Sequence, residues 1–145
     1  MEALFHHLAQ VNIARMRAPL DDPSMSDFVS RIDEINALAD SDPGFVWRWT
    51  DSDNGPFTAP DLLFNLSVWK SVDALRDYVY RGEHAHLFRD RLKWFLSPDG
   101  PTLALWWIPA GQQPTPAASK ERLEHLAEHG PTPFAFSFKH SFLPS

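Results

Sequence analysis

The sequence predicts an α+β chain on the ferredoxin-like split βαβ plan. Three observations predict it: the order of strand-like and helix-like stretches, the two-sided apolar pattern of the strands, and a helix that starts directly after the third strand. That third strand is the clearest element. In LLFNLSVW, Leu62, Phe64, Leu66 and Val68 alternate onto one face, while Leu63, Asn65, Ser67 and Trp69 take the other. A helix follows at once, capped by Ser71, with Asp73 at its positive end and Val72, Leu75 and Val79 at helical spacing.

The remaining elements fall around this unit. Leu8 to Met16 reads as a first strand, with Val11 and Ile13 against Gln10 and Asn12. Asp22 caps and Pro23 opens a first helix whose stripe is Met25, Phe28, Val29, Ile32, Ile35, Asn36 and Ala39. Asp42-Pro43-Gly44 turns the chain into FVWRWT, a second strand with Phe45, Trp47 and Trp49 on one side and Arg48 on the other. DSDNGPFTAPD is an exposed loop. After a turn at residues 97–101, TLALWWIP is a fourth strand, with Leu103, Leu105 and Trp107 opposing Ala104, Trp106 and Ile108. Thr115 and Pro116 start a last helix with Leu123, Leu126 and Ala127 on its apolar side, and Gly130 closes it. Phe134, Phe136 and Phe138 then alternate in a short extra strand, so a helix-strand extension completes one domain over residues 1–145.

Composition narrows the function. A net charge of -6 argues against a nucleic-acid partner, because phosphate binding needs clustered Lys and Arg. No stretch approaches the roughly 20 apolar residues that cross a bilayer, and MEALFHHLAQ lacks the pattern of an export signal, so the expected location is the cytoplasm. The absence of cysteine excludes disulfides, thiolate metal sites and a cysteine nucleophile. Six Trp and eleven Phe exceed what a core of this size needs, which points to an apolar ligand pocket, a subunit interface, or both. A sheet with Trp and Leu on both sides needs its second face covered, and a homodimer is the expected solution.

Read together, AQVNIARMRAPLDDPSM, RIDEINALADSDPGFVWRW, LSVWKSVDALRDYVYRGEHAHLFRDRLKWF, LWWIPAG and HGPTPFAFSF resemble the bacterial family catalogued as domain of unknown function 3291. The resemblance covers nearly the whole chain. It implies the dimeric α+β barrel group, where two ferredoxin-like subunits join their sheets. That group includes cofactor-independent monooxygenases of antibiotic biosynthesis, haem-degrading monooxygenases, chlorite-dismutase-like enzymes, cyclases and plain binders, so the fold alone does not choose a reaction. Haem-degrading members use an Asn on the first strand and a Trp and a His after the third. Asn12 and His84 match the first and last of these. The Trp position falls on Tyr78, with Trp69 just before the helix.

His84 shares an apolar stripe with Leu87, Phe88, Arg91 and Phe95 at steps of three and four, while His86 falls on the polar side. His84 is then either a core histidine bonded to a backbone carbonyl or an acid/base. Arg91 either makes a structural ion pair or holds a developing oxyanion. Asn12, Gln10, Asn65 and Ser67 either satisfy one another or face a substrate. Tyr78 is a core tyrosine or a proton donor into the pocket. The expected catalytic set is His84, Arg91 and Tyr78; the expected ligand-binding set is Asn12, Asn65, Trp69, Trp94 and Trp47. The expected partner is a hydrophobic small molecule, handled without a cofactor by monooxygenase-like or proton-transfer chemistry. Haem with His84 as axial ligand is one alternative, and non-catalytic binding another. His125 and His129 stand at metal-clamping spacing but among glutamates on a solvated face, so no metal is expected.

Overall fold

The computed structural model describes residues 5–51, 53–80, 89–98 and 100–144. The strands are β1 (His6–Arg15), β2 (Phe45–Arg48), β3 (Leu62–Trp69) and β4 (Leu103–Pro109). The helices are α1 (Ser26–Asp40), α2 (Val72–Tyr80) and α3 (Pro116–His129), with one-turn helices at Pro23–Met25 and Arg91–Lys93. The sheet is antiparallel in the order β2-β3-β1-β4, the arrangement that the split βαβ plan requires.

The helix starts follow from their caps. Asp22 accepts from the Ser24 amide at 2.9 Å and from its hydroxyl at 2.7 Å, which holds its carboxyl below the usual range. Ser71 Oγ accepts from the Ala74 amide at 3.0 Å, and Thr115 Oγ1 from the Ala118 amide at 3.2 Å. Gly130, at φ 73°, closes α3 in a conformation that a side chain would strain.

The alternation in β3 and β4 sorts the core into two faces. On one, Ala9, Val11, Leu66, Val68, Ala104, Trp106 and Ile108 pack beneath Leu123 and Leu126 of α3 and Phe57 of the long loop. On the other, Leu8, Trp69 and Leu105 meet Ala39 of α1, Leu75 of α2 and Phe136. Met16, Met25, Phe28 and Trp94 form a third cluster, with Leu63 against it. Each large side chain so buried contributes about 1.5–3 kcal/mol of transfer free energy.

Four expectations need correction. The sheet face expected to require a second copy is covered within the single chain by α3 and Phe57, so its apolar surface no longer argues for a dimer. Phe45 does not share a face with Trp47 and Trp49. A bulge between Phe45 and Trp47 spends Val46 as an extra residue, placing Phe45 beside Trp69 and Trp47 with the α3-side cluster. The tail forms no strand: Phe136 makes a single two-bond bridge to Leu105, and Thr132 turns back to Ala135. Val29 and Ala127 are exposed rather than packed, because each helix presents only part of its apolar stripe to the sheet.

Candidate functional site

The two middle strands place a polar row on the side of the sheet that α1 and α2 cover. Gln10 stands opposite Ser67 in the β1–β3 register, and Asn12 opposite Asn65, so the four residues share one face. Gln10 and Ser67 are both only 4% exposed. Gln10 Nε2 donates to Ser67 Oγ at 2.8 Å and to Asn65 Oδ1 at 2.9 Å. Trp69 Nε1 donates to the same Ser67 oxygen at 2.9 Å. A buried row of this kind persists because its members satisfy one another. It runs between two apolar regions, the Leu8–Trp69–Leu105 cluster and the Met16–Phe28–Trp94 cluster. Asn65 is half-buried and Asn12 exposed, so the row opens toward solvent at the asparagine end.

Trp69 links the row to the helices. Its ring lies edge-on to Phe45 with centroids 5.3 Å apart, and tilts against Tyr78 at 5.0 Å. Tyr78 donates its hydroxyl proton to the Ile35 carbonyl at 2.8 Å, tying α2 to α1. Burial pushes that hydroxyl up to about 12, so it stays protonated at neutral pH. This geometry suits a supporting tyrosine better than a proton donor to a ligand. Arg48 reaches the same region from β2, bonding Asp40 at 2.8 Å, and its guanidinium stands over the Phe45 ring at 5.1 Å.

The expected site residues are only partly brought together. Asn12, Asn65, Trp69 and Tyr78 gather on the helix-covered side. Trp47 does not join them, because the bulge turns it to the α3 side, 6.2 Å from Trp49. Trp94 is a core residue, 2% exposed, packed 5.5 Å from Phe28 and beneath the Arg31 guanidinium. Arg91 is exposed on its one-turn helix. His84 lies outside the described residues, as do His86, Leu87 and Phe88. His125 Nε2 is 3.0 Å from Thr132 Oγ1, and its ring is tilted 45° against that of His129 with centroids 4.5 Å apart.

Of the four polar positions expected either to satisfy one another or to face a substrate, Gln10 and Ser67 do the former and are the hub of the row. One residue was missed: Arg122 was not singled out at all. It donates to the Phe134 carbonyl at 2.7 Å, its guanidinium lies 3.7 Å from the Phe134 ring centroid and 5.5 Å from that of Trp106, and burial lowers its pKa. It pins the tail onto α3.

The family model described as Domain of unknown function (DUF3291) matches residues 7–145. The chain belongs to this family. No curated protein matches it. Among solved structures it is similar to PA3566 from Pseudomonas aeruginosa, at 10% identity and TM-score 0.52, over 77% of this chain and 100% of that one. It is also similar to a candidate antibiotic biosynthesis monooxygenase from Chloroflexus aurantiacus J-10-fl, at 14% identity and TM-score 0.51, over 75% and 98% of the two chains. A third is the NE2512 protein of unknown function from Nitrosomonas europaea, at 11% identity and TM-score 0.50, over 78% and 99%. At these identities the likeness shows the fold, which is the ferredoxin-like α+β fold of that monooxygenase group. No helix among the described residues is long and apolar enough to cross a membrane.

Proposed function

We propose that this DUF3291 chain binds a hydrophobic small molecule on the helix-covered side of its sheet, at the open end of the polar row. The observation that carries this reading is a buried hydrogen-bonded amide, hydroxyl and indole row that surfaces at Asn65 and Asn12 between two apolar clusters. Such a mix of apolar wall and few convergent polar groups is what small-molecule sites use. The likeness to a candidate antibiotic biosynthesis monooxygenase supports one reaction class, monooxygenation, which we take to run without a resident cofactor. In that scheme Asn65 and Asn12 hold a substrate oxygen, Trp69 excludes water, and His84 is the acid/base. An activated methylene between aromatic rings would lose two hydrogens and gain one oxygen atom from O2, the other leaving as water. Arg91, Trp47 and Trp94 have no place in this scheme.

The test uses the bicyclic ketone 1-tetralone and the matching hydrocarbon tetralin, followed by intrinsic tryptophan fluorescence. Wild-type protein is expected to take up both. Asn65→Leu should weaken the ketone about tenfold, the worth of one well-made hydrogen bond, and leave tetralin unchanged. No saturable binding of either compound would remove the reading. On an anthrone, O2 uptake should cease in His84→Ala, and uptake at the wild-type rate would move the acid/base elsewhere.

A homodimer also belongs to the proposal, on a different surface from the one expected. Phe5 is 74% and Leu143 88% exposed; the Phe5 carbonyl accepts from Ala110, and the neighbouring Phe142 carbonyl from Trp107 Nε1. Both apolar side chains therefore stand by the end of β4, where a second copy would cover them. Light scattering at micromolar concentration should give twice the chain mass, and a monomer would refute the pairing.

A further inference from the structure

Gln10 is too buried to touch a ligand, yet the row gives it control over what Asn65 presents to one. An indole N–H only donates, so Ser67 Oγ must accept from Trp69. Gln10 Nε2 has two protons, and both are used: one goes to Ser67 Oγ and one to Asn65 Oδ1. The Asn65 amide is planar, and its oxygen is held toward Gln10. Its nitrogen is therefore turned away from the row, and no hydrogen bond among the described residues engages it.

We infer that Gln10 is a positioning residue that fixes the Asn65 amide with its N–H donors outward, so that the site takes ligands bearing an acceptor oxygen, a ketone, quinone or phenolate, in preference to isosteres lacking one. This rests on the binding reading above. Reversing the polarity of Gln10 reverses the rest of the row. An acceptor at position 10 draws in the Asn65 nitrogen, leaving Oδ1 to face the ligand, where a ketone oxygen meets another acceptor. Selectivity is thus set one residue behind the contact, by a side chain that never meets the ligand.

The experiment has two arms. In wild-type protein without ligand, side-chain amide hydrogen exchange should be slow for Gln10 and fast for Asn65; the opposite pattern overturns the assigned orientation. In the second arm, affinities for 1-tetralone and tetralin are compared. Wild type should favour the ketone about tenfold, as expected when a hydrogen bond is made to only one of two isosteres. Gln10→Glu, measured with its carboxylate ionised, should bring the ratio to unity or below, with tetralin affinity unchanged. If that buried carboxylate prevents folding, Gln10→Met frees the Asn65 amide to turn either way, and the ratio should fall to about threefold or less. A folded variant of either kind that keeps the wild-type ratio overturns the inference. Failure of wild type to bind either compound overturns the binding reading and the ligand preference built on it, whereas the exchange pattern alone still decides the amide orientation. A purely packing role for Gln10 would lower stability and leave the ratio untouched.

Discussion

Trp69→Ala is expected to lower the free energy of unfolding by about 3–5 kcal/mol, the range for removing a buried aromatic side chain. Trp69 is 2% exposed and joins three elements. Its ring packs on Phe45 of β2 and on Tyr78 of α2, and its indole N–H satisfies Ser67 of β3. Deleting it opens a cavity between sheet and helix and removes one of the donors to a buried hydroxyl. Trp69→Phe separates the two effects. It keeps most of the ring volume and loses the donor, which should cost about 1–3 kcal/mol. Urea denaturation followed by far-ultraviolet circular dichroism reads both. A loss below about 1 kcal/mol for the alanine variant would mean that the site collapses freely around the gap.

Gly44→Ala is expected to destabilise by about 1–3 kcal/mol, the usual cost of overpacking. A Cβ at position 44 would fall on the Ala74 Cβ, closer than real carbon atoms approach. The backbone cannot step aside, because the Gly44 amide donates to Asp42 Oδ1 at 2.8 Å and its carbonyl accepts from Lys70 at 2.8 Å. Ala74→Gly in the same chain should relieve the clash at a helix-propensity cost of about 1 kcal/mol. The double variant should then lie above the sum of the two singles, a coupling of the sign that touching residues show. Strict additivity would mean that the β2–α2 approach is looser than the structure has it.

The alternating strands were readable from the sequence because each has two apolar faces with different partners. Leu66 and Val68 against Ser67 and Trp69, and Ala104 and Trp106 against Leu103 and Leu105, fall where period two puts them. The caps at Asp22, Ser71 and Thr115 were equally plain, since each is a short-range contact within three residues. What was hidden depends on pairing across distance. The bulge at Val46 leaves no mark in FVWRWT, where an aromatic pattern mimics unbroken alternation. The tail's Phe134, Phe136 and Phe138 alternate like a strand, yet only Phe136 finds a backbone partner. Coverage of the second sheet face by α3 depends on how the chain crosses the sheet after Pro109, which periodicity does not encode. The candidate site was legible as a set of polar positions, and Asn12, Asn65 and Trp69 do gather. The bonds that order them come from the β1–β3 register, so the part played by Gln10 was not legible.

The place of β1 in the sheet sets the timetable of folding. Of the four strands of this sheet, the first to be synthesised is a middle one, flanked by β3 on one side and β4 on the other, with His6 paired to Pro109. At about 5–20 residues per second of synthesis, its second partner arrives roughly 5–20 s after it does. Through that interval Leu8, Val11 and Ile13 have no finished sheet to enter, and closing the long loops to β3 and β4 makes a slow, non-local nucleus. Nascent chains arrested shortly after β4 has emerged should acquire protease resistance in one step, because neither neighbour alone encloses the strand on which the sheet is built.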